Sequence, residues 1–435
     1  MSQTLFTLIG CMLWSCQFNT PNSNSTTDSK AKFKTNNVTQ YNTTPWLWTS
    51  GYLNFNDSIS TSDLIKNNQT VYVLKGTESN ALEIEPKIKI KAITLNEFKS
   101  KYYSSGCLFL PIDSITVELK VLVSDSLYFF KDYKRWKWFQ KGNLAFNFTE
   151  SVTKFTHTGV TALTRATGSC IDKVGIEGFI SNIKSYFQTS DYVHISNEVS
   201  IDSNCFFKPG MSFCSKSTHF ELFKALHVNV VELTGNHNKD YGATTFIKTY
   251  EWYLTHGIKP FGGGRNETES AQPLILNLKG GEKLALIGFN ESCPSGECSK
   301  NTVPGAQRYS EQNAKLIISD LKSKGVNYIM VGVQFNESDH YQPLPKQIEI
   351  AKKLIDLGAD MVYGSQAHVI QHVEFYKNKI IYYGLGNFLF DQIHSRGVRQ
   401  AMFMDHYFYK GRIVGTKHWY TFMQENRIPS LAPYL

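Results

Sequence analysis

The feature that most restricts the fold of this chain is a regular alternation of apolar and amphipathic segments after Phe155. The apolar runs are of strand length: "DYVHIS", "VNVVELTG", "KLALIGFN", "NYIMVGVQF", "ADMVYGS" and "IIYYGLGNFLFD". Helical patterns such as "TTFIKTYEWYLTHG" and "PKQIEIAKKLIDLG" lie between several of them and end at Gly, as helices often do. Strands and helices in alternation predict a layered α/β domain with a buried sheet.

Polar clusters follow five of these predicted strands. They are Asn197-Glu198, Gly235-Asn236-His237, Gln334 to Glu337, Gly364 to His368, and Asn387 with Asp391. In open α/β sheets, ligands bind at the carboxyl ends of the strands, so the clusters predict a functional site at that edge. The structural alternative is that these residues cap helices, and Asn236 after Gly235 would suit such a role.

Length and composition limit the classes of protein to consider. A chain of 435 residues is long enough for two domains, or for one large domain with an appendage. Its hydrophobic fraction of 41% can fill a sizeable core, which excludes wholesale disorder. The net charge of +8 is modest and the basic residues form no long runs, so we expect no nucleic acid partner.

The N-terminal residues read as an export signal. Leu5 to Trp14 is apolar but too short to span a bilayer, and residues 1–16 therefore predict a signal peptide. Residues 13–16 resemble a bacterial lipobox, in which Cys16 would carry a lipid anchor. Cleaved secretion and a cytosolic protein with an apolar start are the alternatives. Residues 17–45, rich in Asn, Thr and Ser, predict a disordered tether.

Residues 46–150 predict a smaller module, either α/β or mainly β, because short apolar runs alternate with polar turns. Within it, "KDYKRWKWFQK" (131–141) interleaves cations with aromatic residues. One interpretation is that this stretch binds an anionic polymer or a lipid head group. The alternative is an amphipathic surface element whose aromatic rings pack inward.

Cysteine spacing agrees with export. Cys205 with Cys214 and Cys293 with Cys298 form two local pairs in loops with Pro and Gly, which favours disulfides. Zinc is the competing interpretation, but neither pair has a second Cys or His pair at finger-like spacing. Cys107 and Cys170 remain without an assignment.

The chain resembles the CapA family of poly-gamma-glutamate capsule biosynthesis proteins, whose domain is related to calcineurin-like metallophosphoesterases. The motifs that carry the resemblance, in order, are "HTGVTALTR" (157–165), "DYVHISNEVS" (191–200), "ELTGNHNKDYG" (232–242), "GIKPFGGGRNETESAQP" (257–273), "GADMVYGSQAHVIQHVEFY" (358–376) and "IIYYGLGNFLFDQ" (380–392).

The resemblance implies a four-layered α/β/β/α, metallophosphoesterase-like sandwich over residues 151–395, with residues 396–435 as a C-terminal extension packing on it. It also implies an extracytoplasmic location, membrane-anchored or secreted, and a role in making or handling an anionic surface polymer or its precursor.

The sequence departs from the family pattern at its best metal donors. A Gly-Asp pair commonly begins the domain, whereas Gly159 is followed by Val160 here. A frequent His is replaced by Gln334, and the segment that often reads Gly-His-His-Pro-His reads Gly-Ser-Gln-Ala-His at 364–368. Two metal ions need about six to eight ligands, more than remain.

Two mechanisms are open for the remaining residues. One divalent ion (Mn, Zn or Mg) would be bound by Glu198, Asn236 and His368. Alternatively no metal is present, and Glu198 acts as general base while His237 or His368 protonates the leaving group. His237, Glu198 and Asp240 form the predicted catalytic group. The predicted substrate-binding residues are Asn197, Arg265, Gln334, Glu337, Gln366 and Asn387.

These observations lead to three hypotheses on function. The first is a CapA-like protein for synthesis, export or processing of a capsule-type polymer, with hydrolysis of amide or phosphoester bonds. The second is a polymer-binding or scaffold module that has lost catalysis, consistent with Val160, Gln334 and Gln366. A broad-specificity metallophosphatase comes third because of the depleted ligand set.

Overall fold

The computed structural model describes residues 41–432, except Pro209 and Ser295. The predicted signal segment, Cys16 and the tether up to residue 40 lie outside this range. The described residues form one compact unit. Within the described range, no helix is both long enough and apolar enough to cross a membrane.

The first part of the described chain folds around its own six-stranded sheet, with strand order β4-β3-β5-β1-β6 and β8 paired with β1. The strands are β1 (Tyr41–Gly51), β2 (Ser58–Ile59), β3 (Thr70–Leu74), β4 (Lys89–Ile93), β5 (Leu108–Pro111), β6 (Leu119–Val121), β7 (Val123–Ser124) and β8 (Phe139–Phe146). The helices are α1 (Thr61–Lys66), α2 (Glu78–Ile84), α3 (Leu95–Lys101), α4 (Phe129–Asp132) and α5 (Phe148–Ser151).

Buried tryptophans fill the core of this sheet. Trp46 and Trp48 are fully buried, and Trp136 and Trp138 keep only 5% and 1% of their surface exposed. The aromatic residues of the 131–141 stretch therefore pack inward, which confirms the structural alternative for them. Strand β1 begins at Tyr41, so its first residues lie in the stretch predicted as tether.

A second sheet of eight strands has the order β12-β11-β10-β9-β22-β23-β24, with β21 paired with β9. Its strands are β9 (Thr153–Thr161), β10 (Tyr192–Asn197), β11 (Val230–Glu232), β12 (Lys259–Phe261), β21 (Asn387–Leu389), β22 (Gln400–Tyr409), β23 (Arg412–Met423) and β24 (Pro429–Ala432). Strands β9 to β12 run parallel.

A third sheet of six strands has the order β14-β15-β17-β18-β20-β19, and its four inner strands run parallel. Its strands are β14 (Leu274–Asn277), β15 (Lys283–Asn290), β17 (Tyr328–Gln334), β18 (Met361–Ser365), β19 (Val373–Tyr376) and β20 (Lys379–Tyr382). Two short strands, β13 (Gly263–Gly264) and β16 (Gly305–Ala306), pair beside it. Every residue of β17 is buried, as expected for an inner parallel strand.

Helices cover the outer faces of both sheets. They are α6 (Arg165–Ile180), α7 (Glu221–Ala225), α8 (Ala243–Thr255), α10 (Glu311–Ser323) and α11 (Pro345–Leu357). The short helix α9 (Glu267–Ser270) lies against β13 and β16. One apolar core joins α6 to α8 with the eight-stranded sheet, a second lies between the two sheets, and a third joins α10 and α11 with the six-stranded sheet. The predicted α/β/β/α sandwich is thus confirmed.

Helix α11 shows how local sequence sets these elements. Pro345 stands at its first position, where the missing N–H costs nothing. Ile350 and Leu354, four residues apart, turn the same face to the core. Gly358 ends the helix with a φ of 116°, a conformation that suits glycine.

The apolar run at 380–391 was predicted as one strand, and that prediction is wrong. Its first half is β20 of the six-stranded sheet and its second half is β21 of the eight-stranded sheet. Gly386 between them has a φ of 74° and allows the chain to change sheets. Beyond it, β22 pairs directly with β9, so the C-terminal strands continue the same sheet.

A polar cluster lies buried between the two sheets. His157, His194 and Glu232 are fully buried, and Nε2 of His194 lies 3.3 Å from Oε2 of Glu232. The rings of His157 and Tyr363 are 4.1 Å apart, and that of His406 is 5.9 Å from His157. Burial lowers the pKa of His157 well below its ordinary value. The buried His157 imidazole is therefore favoured in its neutral form.

Candidate functional site

The predicted polar clusters of both sheets meet at the side chain of Gln334, the last residue of β17. Its Nε2 donates to Oε1 of Glu198 at 3.1 Å and to Oδ1 of Asn236 at 3.2 Å. It also donates to Oε1 of Gln366. Gln334 Oε1 in turn accepts from the hydroxyl of Ser365 at 2.5 Å. The carboxyl ends of β10, β11, β17 and β18 therefore form one site.

Two histidines flank this centre, and each is held by a carboxylate. Nδ1 of His237 lies 2.8 Å from Oδ2 of Asp240. His368 contacts Asn387 through Nδ1 at 2.9 Å and Glu337 through Nε2 at 3.1 Å.

The pKa of both imidazoles is raised. Burial of His237 acts to lower its pKa, but the hydrogen bond to Asp240 and the charge of Glu198 outweigh that effect. For His368, burial likewise acts to lower the pKa, and the opposing contributions are the hydrogen bond to Glu337 and again Glu198. The hydrogen bond with His368 lowers the pKa of Glu337. The carboxylate of Glu198 thus acts on both imidazoles and favours their protonated forms.

The donor set does not fit a divalent metal ion. Two predicted ligands, Glu198 and Asn236, direct oxygens at the Gln334 amide, a hydrogen-bond donor that takes the place a cation would need. The third, His368, already uses both ring nitrogens. Among residues 41–432, Pro209 and Ser295 aside, no group of three or more His, Cys, Asp and Glu side chains is placed to hold a metal. Manganese and zinc favour richer sets of carboxylate and imidazole.

Three non-glycine residues at or beside the site have left-handed backbone conformations. Gln366 and His368 have φ values of 74° and 53°, and Arg165 beside the site has 45°. Each such non-glycine residue costs about 1–3 kcal/mol and persists only where its surroundings hold it. Strain of this kind is common at functional sites, which supports a role beyond packing.

An aromatic and cationic wall that the sequence patterns did not predict lies between the two histidines. The Arg165 guanidinium lies 4.4 Å from the ring centre of Phe213 and 5.2 Å from that of Phe390. Phe213 contacts His237 at 4.1 Å, and Phe390 lies 5.9 Å from His368. A salt bridge to Asp391 holds Arg165. The motif "HTGVTALTR" ends at this arginine and was the available signal.

Glu297 was also missed. Its Oε2 accepts from the backbone N of Lys239 at 3.1 Å, and the residue is 8% exposed. Burial raises the pKa of Glu297 to about 7, and the charge of Asp240 adds to that rise. The sequence around Glu297 contains no motif or periodicity that would have marked this residue as part of the site.

Two predicted binding residues face elsewhere. Asn197 donates to Val199 O and to the hydroxyl of Tyr253, beneath the site. Arg265 pairs with Glu251 and Glu269. The roles of all predicted site residues stay predictions. Asn236 does not cap a helix, because α8 begins at Ala243 with Gly242 as its N-cap.

The chain is similar in sequence to two capsule biosynthesis proteins of Bacillus. The chain is 27% identical over 244 residues to the capsule biosynthesis protein CapA of Bacillus anthracis, covering 54% of this chain and 59% of that protein. It is 25% identical over 248 residues to the PGA biosynthesis protein CapA of Bacillus subtilis strain 168, covering 55% and 64%. The alignments thus span about three fifths of these relatives' lengths.

Among solved structures, a 5'-nucleotidase precursor from Thermus thermophilus shows a distant likeness, with a TM-score of 0.40 and 13% identity, covering 64% of this chain and 56% of that one. Residues 150–392, more than half of the chain and all of the site, match the model of a family described as bacterial capsule synthesis protein PGA_cap. The chain belongs to the bacterial capsule synthesis protein PGA_cap family.

Proposed function

We propose that this protein takes part in making or processing an anionic, capsule-type surface polymer, and that its site hydrolyses amide bonds of the polymer without a metal ion. The observation that carries the proposal is the pairing of His237 with Asp240 beside the buried carboxylate of Glu198. Amide hydrolysis requires a general base and a general acid, and the acid here is held in place by a hydrogen bond to a carboxylate.

The steps follow from the chemistry of these groups. Glu198 takes a proton from water, whose oxygen attacks the amide carbonyl carbon. The carbon–nitrogen bond then breaks as His237, protonated at the outset, gives its proton to the leaving nitrogen. Asp240 holds the imidazole in place and favours its charged form. Glu198 and His237 exchange protons with water afterwards, which restores the starting state.

An anionic substrate suits the surroundings of this pair. The imidazoles of His237 and His368 have raised pKa values, and the Arg165 guanidinium lies between the aromatic rings that contact them. Positive groups at a site attract carboxylates. The names of the two Bacillus relatives, one of which is described as acting in PGA biosynthesis, are consistent with a glutamyl polymer.

We place the protein outside the cytoplasm, anchored by a lipid at Cys16 or secreted. Support comes from the disulfides Cys205–Cys214 and Cys293–Cys298, which confirm both predicted pairings. Disulfides persist in oxidising compartments. Cys107 and Cys170 are free thiols.

A polymer-binding module without catalysis is the second candidate. It is favoured by the Gln334 amide, which engages an oxygen of Glu198 that a general base must keep available. The two candidates differ in turnover. The test is the chain length of poly-gamma-glutamate incubated with the full protein, measured by size-exclusion chromatography. Shortening of the polymer supports hydrolysis, whereas retention of the polymer on the protein without shortening supports the binding module.

A further inference from the structure

The turn that carries the candidate acid is held from two sides by loops that disulfides close. This turn comprises residues 237–240. On one side lies the loop 205–214, closed by Cys205–Cys214, whose Cα atoms are 5.7 Å apart. On the other lies the loop 293–298, closed by Cys293–Cys298, with Cα atoms 5.5 Å apart.

The first loop acts through the residue before its second cysteine. The backbone N of Phe213 donates to Oδ2 of Asp240 at 2.6 Å, and the same oxygen contacts Nδ1 of His237 at 2.8 Å. The Phe213 ring also packs on the His237 ring at 4.1 Å. One residue therefore fixes the carboxylate and the imidazole together.

The second loop acts in the same way through Glu297, which precedes Cys298. Its carboxylate accepts from Lys239 N at 3.1 Å, in the middle of the turn. The loop is itself tied to β15 through the Cys293 N, which donates to Oδ1 of Asn290 at 2.6 Å. Because burial raises the pKa of Glu297 to about 7, its protonated and ionised forms are both present near neutral pH. Each form has an oxygen that can accept the hydrogen bond from Lys239 N.

Neither loop contains a helix or a strand in the described residues. The end of the second loop is also paired with β16, where Ala306 N donates to Glu297 O at 3.0 Å. A disulfide restricts the conformations of a short loop by covalent closure. The two bonds stand next to Phe213 and Glu297, the residues that contact the turn. Each disulfide therefore lies next to a residue that contacts the turn bearing His237.

We propose that the two disulfide-closed loops are positioning elements of the site, with Phe213 and Glu297 as positioning residues that hold the His237–Asp240 pair for proton transfer only while both loops are closed. The proposal rests on the proposed function in one respect, that the pair transfers a proton. Neither residue takes or gives a proton in the proposed reaction, and each acts by holding a residue of the turn.

The test compares the full-length protein with the double variants Cys205→Ser/Cys214→Ser and Cys293→Ser/Cys298→Ser, with Glu297→Ala and with Glu297→Gln. Cys107→Ser is the matched control, because it removes a free sulfur in the N-terminal sheet. Two quantities are measured: kcat on poly-gamma-glutamate, and the His237 ring cross-peak in spectra of ¹³C-histidine-labelled protein at one pH. A His237→Gln spectrum assigns the peak.

We expect each double variant and Glu297→Ala to move the His237 cross-peak and to lower kcat by about 100-fold, the cost of a misplaced group, with KM little changed. Glu297→Gln keeps an acceptor for Lys239 N, so it should restore kcat and move the cross-peak less than Glu297→Ala does. The charge of Glu297, which helps to raise the pKa of His237, is lost in both variants. Cys107→Ser should match the wild type in both. Thermal unfolding of each variant identifies those that no longer fold, and the Glu297 pair keeps all cysteines.

An unmoved cross-peak with wild-type kcat in both double variants would overturn the proposal. So would equal effects of Glu297→Ala and Glu297→Gln, because the acceptor oxygen would then be irrelevant. If the wild type shows no turnover, the proposed function fails, but the cross-peak still decides whether the loops position His237.

Discussion

Gln334 and Glu198 come from different sheets, and the 3.1 Å hydrogen bond between them joins the carboxyl ends of those sheets. Gln334 brings a donor group to a point on which oxygens of Glu198, Asn236 and Gln366 converge. An amide NH₂ group has two hydrogens for these three oxygens. A neutral donor thus stands where a cation bound by these oxygens would need to be, and the proposed mechanism relies on proton transfer instead.

The first prediction concerns metal content. Restoring donors with Val160→Asp, Gln334→His and Gln366→His together should create a site for about one Mn²⁺ or Zn²⁺, because carboxylate and imidazole are the ligands these ions favour. The wild type should hold no stoichiometric metal after dialysis. Elemental analysis of both proteins measures this. Stoichiometric metal in the dialysed wild type would contradict the assignment of Gln334 as a substitute for a ligand.

The second prediction concerns the acid and the base. Glu198→Gln and His237→Ala should each lower kcat by about 100- to 10,000-fold, the usual contribution of general acid–base catalysis. Glu198→Gln keeps an oxygen for Gln334, so the fold should survive. Lys324→Ala is the control, since it removes only an exposed ion pair with Asp320 worth little stability. Unchanged polymer cleavage in both site variants would leave the binding module as the better account.

The third prediction concerns Gly235. A Cβ at this position would lie 2.7 Å from Cα of Glu198 and 3.0 Å from its Cβ. Gly235→Ala should therefore displace Glu198 and destabilise the protein by about 1–3 kcal/mol, the range for overpacking. Thermal unfolding and kcat measure the two effects. Gly178→Ala, whose Cβ meets only Val174 at 3.3 Å, is the comparison and should keep kcat. Equal behaviour of the two variants would argue against a close approach at Gly235.

The fourth prediction concerns acid stability. Burial, with repulsion from His418, lowers the pKa of His406 from 6.5 to about 3. As the pH falls, His406 therefore becomes protonated near pH 6.5 in the unfolded chain but only near pH 3 in the folded chain. Stability contributed by neutral His406 is complete above pH 6.5 and is lost as the pH falls, by up to about 1.4 kcal/mol per pH unit.

Urea unfolding at pH 7 and pH 5 tests this expectation. His406→Gln should show a smaller loss of unfolding free energy between the two pH values than the wild type. His256→Gln, at an exposed position, should behave like the wild type. The prediction fails if His406→Gln and the wild type lose the same amount.

Regular patterns in the sequence predicted the layers of the sandwich, because inner strands such as β17 are buried on both faces and read as continuous apolar runs. The same reasoning failed at 380–391. An apolar run does not reveal which sheet each half joins, and the turn at Gly386 depends on a close approach to Gln400 and Ala401 in β22. That contact is between residues distant in sequence.

The candidate site was predictable only where it follows strands. Glu198, Gln334 and His368 stand at or just after strand ends, and a position at one sheet edge follows from the topology. Phe213 and Glu297 come from loops without periodicity, and only contacts to the turn at 237–240, which is distant in sequence, bring them to the site. The spacing of the cysteines predicted the two disulfides, but it did not predict that Phe213 and Glu297 in the closed loops contact the turn at 237–240.

The most direct test of the account is cleavage of poly-gamma-glutamate by the wild type in excess EDTA, with His237→Ala in parallel. The account predicts that the polymer is shortened at the same rate with and without EDTA, and that His237→Ala shortens it at least about 100-fold more slowly. Activity that EDTA abolishes and Mn²⁺ restores would contradict it.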